Sequence, residues 1–543
     1  MPIGPHSTFA THEVTNQPSA GTDRDLWASD SALQQAAAWG GADTPVLAAA
    51  GARLGSADML ENAENARRDP PRLKTFDRTG RRWDEVDFHP GYHALMQAGM
   101  EMGYAAYAWE GHIGGHVTHA AMVYCMAQIE PGICCPLTMT YAAVPALRGS
   151  TLAKTWIPKL TARAYDPAID VIGQKRAATM GMAMTEKQGG SDLRATTTIA
   201  TPQGDHYTLR GHKWFCSAPM SDGFLTLAQA PEGLTCFLVP RWLEGERNAL
   251  HLMRLKDKLG NTANASAEIE YHDARAFRLG KEGQGVKTII EMVHHTRLDT
   301  AMAPAGLMRA ALSQAHWWVS HRTAFQRHLV DQPLMRAVMA DLTLETEAAL
   351  ALGIGAARAF DGKSDADRAF ARISVALAKF ISNKRAPVMI AEAMECLGGM
   401  GYVEETPMPM LYREAPLNGI WEGSGNVICL DILRTLAREP LAAETLSARL
   451  NANTGRDARF DKAVKAHQGR WPALPPEAEA RWFAENAANL LAAAYLLEQD
   501  NTAVAEGFIA TRLDGARGHV FGAISGVDVD AVLARLDAPH GGA

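Results

Sequence analysis

No stretch of about 18 apolar residues occurs in this chain, which argues against a membrane-spanning helix. The N-terminus, with His6, Thr8, His12, Glu13 and Asp23, lacks the basic start and apolar run of a secretory leader, so no export is expected. Cysteine is scarce. The seven thiols, at 125, 134, 135, 216, 236, 396 and 429, are odd in number and show no CxxC pairing, which predicts reduced cytoplasmic cysteines and no metal site. Positive charge is not in excess, since 53 Lys and Arg face 60 Asp and Glu, for a net charge of -7. That balance gives no global attraction to nucleic acid or anionic membrane, and leaves only a local basic patch as a route to either. There is no fixed-period repeat and no low-complexity tract.

What is present is an ordinary globular composition, 47% apolar and 21% charged, in a chain of 543 residues, too long for one core. Four units are expected, at 1–180, 181–280, 281–440 and 441–543. The first is helical: Ser31–Ala38 and Thr44–Ala52 are Ala-rich, and from about Tyr92 to Met126 apolar residues recur at helical spacing with no proline, predicting one helix. The second is a small sheet, in which Thr196–Ala200 and Tyr207–Arg210 flank Pro202-Gln203-Gly204-Asp205 like a hairpin, with further strands at Thr235–Pro240 and Ala267–Tyr271. The third is a helical bundle built on Leu334–Phe360 and Asp365–Leu397. After Glu439-Pro440, and again beyond the Trp471–Pro476 breaker, an Ala- and Leu-rich helical appendage closes the chain.

Chemistry is suggested first by Met182-Ala-Met184-Thr185-Glu186-Lys187-Gln188-Gly189-Gly190-Ser191-Asp192, where two glycines let backbone N–H groups approach a ligand. A capped turn satisfying only its own backbone reads equally from these residues. Trp214, Phe215, Cys216 and Ser217 in Gly211–Ser217 offer an aromatic face and a hydroxyl, or plain core. Ile420-Trp421-Glu422-Gly423-Ser424-Gly425-Asn426 places a carboxylate beside an indole. Either a base raised in pKa by an apolar wall or a turn glutamate on the surface fits that string.

Together these strings resemble the acyl-CoA dehydrogenase family. The first is similar to its Thr-Glu…Gly-Ser-Asp signature, and the second to the strand packed on the isoalloxazine ring, with Ser217 in place of the threonine that faces flavin N5. Glu395-Cys-Leu-Gly398-Gly399-Met-Gly-Tyr402 is similar to the second signature, although Met410 stands where Lys or Arg is usual. His321-Arg322-Thr-Ala-Phe325-Gln326 is similar to the motif whose arginine reaches the FAD pyrophosphate of a neighbouring subunit, with Gln326 for glycine. The resemblance implies an α+β, mainly helical acyl-CoA dehydrogenase fold of helical, small sheet and four-helix-bundle domains with an extra C-terminal helical domain. It implies FAD held through Met182, Met184, Thr185, Gly190, Ser191, Phe215, Cys216, Ser217, Arg322, Phe325, Glu395, Gly398, Gly399, Gly423, Ser424, Gly425 and Asn426. An acyl-CoA-like substrate would meet Ser191 and Arg297, and Glu422 would take the α-proton. Members without a glutamate there keep one just before an arginine on an earlier helix. In this chain that place is Thr296, before Arg297.

Several strings, among them Gln332-Pro333-Leu334-Met335-Arg336 and Ile420–Asn426, are similar to the branch of the family that protects against DNA alkylation. That likeness implies a homotetramer, weak dehydrogenase activity and binding of double-stranded DNA. Charge sits uneasily with DNA, since 441–543 holds 10 Lys and Arg against 13 Asp and Glu. A local cluster of Arg449, Arg456, Arg459, Lys462, Lys465 and Arg470 is the candidate contact, or a solvated helix face. Two functions stay open: a metabolic FAD-dependent acyl-CoA dehydrogenase forming a 2,3-enoyl-CoA, and a DNA-associated protection flavoprotein.

Overall fold

The computed structural model describes residues 5–20 and 24–536. Short helices Ser31–Gly40, Thr44–Leu54 and Ala57–Arg68 open the chain, each started by the side chain of Asp30, Asp43 or Ser56 accepting a bond from the first-turn backbone. A two-stranded hairpin, Arg72–Phe76 with Arg82–Asp87, follows and was not expected in a helical unit. The helix expected from Tyr92 to Met126 is two helices, Pro90–Glu101 and Gly115–Ile129. Apolar spacing does not register the reason: Gly103, Gly111 and Gly114 between them all take positive φ, which ends one helix and starts the next in a new direction.

The sheet unit has seven strands. The hairpin around Pro202–Asp205 is present, Ile199–Gln203 pairing antiparallel with His206–Ser217 from Ile199 against Arg210 to Gln203 against His206. Gly233–Pro240 pairs with both Gly223–Ala230 and Ser266–Leu279, so the strands close on themselves around Leu209, Cys216, Phe237 and Tyr271. Met180–Ala183 lies at one edge, parallel to Gly223–Ala230, and delivers the chain into the Thr185–Asp192 loop.

Three long helices, Gly285–His321, Pro333–Asp361 and Asp365–Cys396, pack together with Gly425–Arg438 against the third. The Asp365–Cys396 helix begins at a reciprocal cap, Ser364 and Asp367 each bonding the other's backbone. The C-terminal helices, chiefly Pro440–Asn451, Ala458–Arg470 and Ala480–Glu498, are not a detached appendage. Leu446, Leu491 and Tyr495 belong to the same buried cluster as the bundle. Tyr495 fills the space that a side chain at Gly355 would need. Arg512 and Arg535 cross the same boundary to Glu345 and Glu347, at 2.6 Å each. Burial opposes ionisation of Glu345, yet Arg512 and Arg385 hold its carboxylate down at about 2.

Candidate functional site

Strand alternation decides which side chains of the first two motifs are available. In Met180–Ala183, Ala183 faces the sheet core while Met182, like Met184 beyond the strand, is half-buried on the other side. In His206–Ser217, Phe215 is exposed, and Ser217 is half-buried with its hydroxyl 3.3 Å from that of Ser266. Cys216 between them is fully buried in the sheet core, and burial pushes its thiol far up. Its side chain faces away from Phe215 and Ser217, so any cofactor contact it makes would be through its backbone. The loop from Thr185 to Ser191 is locked onto this strand. Trp214 N–H donates to the Thr185 carbonyl at 2.7 Å, and a Cβ at Gly190 would stand 2.8 Å from Thr185 Oγ1, so a larger residue there would push the Thr185 side chain aside. The fixed Glu186 of the motif is the loop's buried anchor, 2.7 Å from Lys213 Nζ and accepting from Thr197 and Thr198. Although burial opposes it, Lys213 and these donors hold the Glu186 carboxylate well below its ordinary range. Ser191 stays exposed at the loop's rim.

Glu422 is built into a strained turn. Its φ is 57° and that of Gly423 is 105°, two consecutive residues in the left-handed region. For a glutamate this conformation costs about 1 kcal/mol or more and needs external support. Two buried cations supply it. Arg297 Nε donates to the Glu422 carbonyl at 3.2 Å while its Nη1 pairs with Asp431 at 2.6 Å, and Lys379 Nζ donates to the carbonyls of Asn418 at 2.7 Å and Gly423 at 3.2 Å. Arg297, expected at the substrate, is a buried group that bonds the Glu422 carbonyl on one side and Asp431 on the other, and so braces the turn.

Burial raises the Glu422 carboxyl above its ordinary pKa, while the Thr296 hydroxyl, Lys379 and Arg297 pull it back. Thr296 therefore stands against this carboxyl, so the two places where the family keeps its glutamate converge in space. Burial pushes Lys379 down to about 7, with Glu422 opposing. The Cys135 thiol is flanked by both Glu422 and Ser217, which puts the carboxyl and the sheet hydroxyl on one side of the molecule. Sequence reasoning did not single out Lys379, Cys135 or Asp431. For Lys379 a signal existed, a lysine amid Leu377, Ala378, Phe380 and Ile381 on an inward helix face.

The other expected cofactor residues lie elsewhere. Arg322 is 25 residues beyond Arg297 on one helix axis, about 37 Å away at 1.5 Å per residue. It bonds the carbonyl of Asn16, and Phe325 is 91% exposed at the tip of the following hairpin. Glu395 is exposed near the far end of the Asp365–Cys396 helix, about 24 Å from Lys379 by the same rise, and Gly398 and Gly399 are exposed in the turn just beyond it, where a Cβ on either would meet nothing within 4 Å. One chain thus cannot bring both halves of the expected set to one ligand. In the candidate DNA cluster, Arg449 pairs with Glu498, Arg456 with Asp500, Arg459 with Asp457, Lys462 with Asp514 and Arg470 with Glu479; Lys465 is exposed.

The closed sheet between helical units, with a glutamate on a left-handed turn near the same buried thiol as a sheet hydroxyl, fits an acyl-CoA dehydrogenase type of protein. The comparisons agree. The models for the adaptive response protein AidB N-terminal domain, the acyl-CoA dehydrogenase middle domain and the acyl-CoA dehydrogenase C-terminal domain match residues 16–167, 181–274 and 283–437. The putative acyl-CoA dehydrogenase AidB of Escherichia coli K12 is 45% identical over 469 residues, 85% of this chain and 87% of that protein. Acyl-CoA dehydrogenase family member 11 of Caenorhabditis elegans is 32% identical over 73% of this chain and 67% of that one. The crystal structure of C. elegans ACDH-11 in complex with C11-CoA superposes with a TM-score of 0.81 at 25% identity, covering 99% of this chain and 94% of that chain. This chain belongs to the acyl-CoA dehydrogenase family and is AidB-like, an FAD-dependent oxidoreductase of that type. No helix among the described residues is long and apolar enough to cross a membrane.

Proposed function

We propose that Glu422 is the base that removes the α-proton of an acyl-CoA-like thioester, with FAD lying across Phe215 and Ser217. The observation that carries this reading is the raised carboxyl held on a left-handed turn beside Thr296. A carboxylate that water stabilises less accepts a carbon-bound proton more readily, and its fixed turn aims it without reorganisation. The residues present suit a flavin dinucleotide: an exposed aromatic face at Phe215, a hydroxyl at Ser217, a loop locked by Gly190, and a glycine at 425 over which cationic side chains converge. Bound FAD supplies the two-electron acceptor for the β-carbon. The chain itself positions the base through Arg297 and Lys379, and takes the α-proton at the Glu422 carboxylate.

The distance between the two halves of the cofactor set supports a homotetramer in which Arg322, Phe325, Glu395, Gly398 and Gly399 serve a neighbouring subunit's FAD. The likeness to AidB supports a place in the cytoplasmic response to DNA alkylation damage, with double-stranded DNA as partner and weak dehydrogenase activity. The paired state of five of the six cations at 449–470 favours the dehydrogenase reading over DNA contact at that patch. Anaerobic bleaching of the flavin absorbance by a panel of acyl-CoAs, run beside a salt-dependent DNA shift, tests both. Fast bleaching by one thioester supports a working dehydrogenase, and no bleaching with salt-sensitive DNA binding supports the protection role instead.

A further inference from the structure

Arg481 lies in the first turn of the Ala480–Glu498 helix, where the helix dipole disfavours a cation. It reaches out of the C-terminal unit, over the Phe380 ring at 5.4 Å, and donates from Nη1 to Asn426 Oδ1 at 2.8 Å. Lys384, from the bundle, arrives at the same place. Both Nη1 of Arg481 and Nζ of Lys384 fall within 3.3 Å of the point a Cβ on Gly425 would occupy, so glycine there leaves a cradle with two cations for walls. Both also act on the Cys429 thiol one turn further along, pulling it down against the effect of burial. Among the described residues neither cation has a carboxylate within salt-bridge distance. The Gly425–Arg438 helix adds its own positive end there, because the Ser424 side chain makes no capping bond. Like charges gathered in this way repel one another until an anion joins them.

We propose that Arg481 and Lys384, over Gly425, form a binding site for the phosphates of the dinucleotide flavin, so that the C-terminal unit is itself part of cofactor binding. This rests on the reading that FAD lies along Gly423–Asn426. It gives the last hundred residues a task at the flavin, where the neutralised cations of 449–470 gave none. Charge-assisted bonds to phosphate are about twice as strong as neutral ones, and their loss is felt only by ligands that carry the phosphates.

The test is reconstitution of the full-length apoprotein with FAD and, in parallel, with riboflavin, following flavin fluorescence, for wild type, Arg481→Met, Arg481→Lys, Lys384→Met and Gly425→Val. Expected is a rise in the FAD dissociation constant of about tenfold for Arg481→Met and Lys384→Met, a smaller rise for Arg481→Lys, and a large one for Gly425→Val. Riboflavin affinity and the melting temperature of the apoproteins should not move. Unchanged FAD affinity in Arg481→Met and Lys384→Met overturns the proposal while leaving the FAD reading intact, as does an equal loss for riboflavin. A weakening of only acyl-CoA or DNA binding assigns the cations to a different phosphate and overturns it too. A wild-type apoprotein that fails to take up FAD overturns both.

Discussion

Arg297 and Arg456 each face an aspartate, and the two pairs differ in almost everything else. The Arg297–Asp431 pair spans 2.6 Å with both side chains 9% exposed, and it holds the backbone of Glu422; the Arg456–Asp500 pair spans 3.4 Å with its aspartate 86% exposed. Out of water, a charge must be answered by a nearby group at fixed distance, so a buried pair dictates geometry. In water the same pair exchanges with solvent and dictates little. The Glu422 turn is supported by the first kind of interaction, and the patch expected to meet DNA is made of the second.

The sharpest way to break this contrast is at the base. Glu422→Gln should lower the rate of flavin bleaching by acyl-CoA by about 10²–10⁴-fold while leaving FAD bound, and retained bleaching would move the base elsewhere. Since burial raises this carboxyl, the folded state binds its proton more tightly than the unfolded chain does, and the charge costs stability once pH rises through the folded value. Glu422→Gln should therefore not lower the melting temperature of the apoprotein at pH 7. For the same reason, the acidic limb of kcat/KM should fall off at a pH above the ordinary glutamate range, and a limb near that of a free carboxylate would count against the buried base.

Asp431→Ala comes next, since it strands the buried Arg297. A loss of about 3–5 kcal/mol in denaturant unfolding is expected, and a loss under about 1 kcal/mol would show that the pair behaves like a surface one. Gly355→Ala should cost about 1–3 kcal/mol because the new methyl meets the Tyr495 ring, and a neutral result would mean the C-terminal helices dock loosely. Smallest of all, Arg456→Ala and Lys462→Ala should each change stability by under about 1 kcal/mol. If that face does bind DNA, their combination with Lys465→Ala should flatten the salt dependence of the DNA shift by roughly 0.9 for each phosphate no longer neutralised, and an unchanged slope would exclude it.

Much of this was legible along the chain because it is carried by local strings. The Pro202–Asp205 hairpin, the sheet between two helical units and the Glu422 turn all rest on neighbours in sequence, where turn residues and alternation act over a few positions. The split between Pro90–Glu101 and Gly115–Ile129 escaped because apolar spacing continues through glycines whose left-handed backbone redirects the chain. A motif likewise marks a segment, and only the pleat decides that Phe215 faces out while Cys216 faces in.

Sequence alone determined the family, the sheet between helical units, and Glu422 as the residue to watch, because each follows from motifs or periodicities within reach of one turn or one hairpin. Tertiary structure alone decided that Thr296 stands against Glu422 from 126 positions away, that Lys379 and Arg297 clamp its turn, and that Arg481 reaches Gly425 from the C-terminal unit. These are contacts between charged groups distant in the chain. Their worth depends on burial and on what answers each charge, and neither is fixed until the helices have packed.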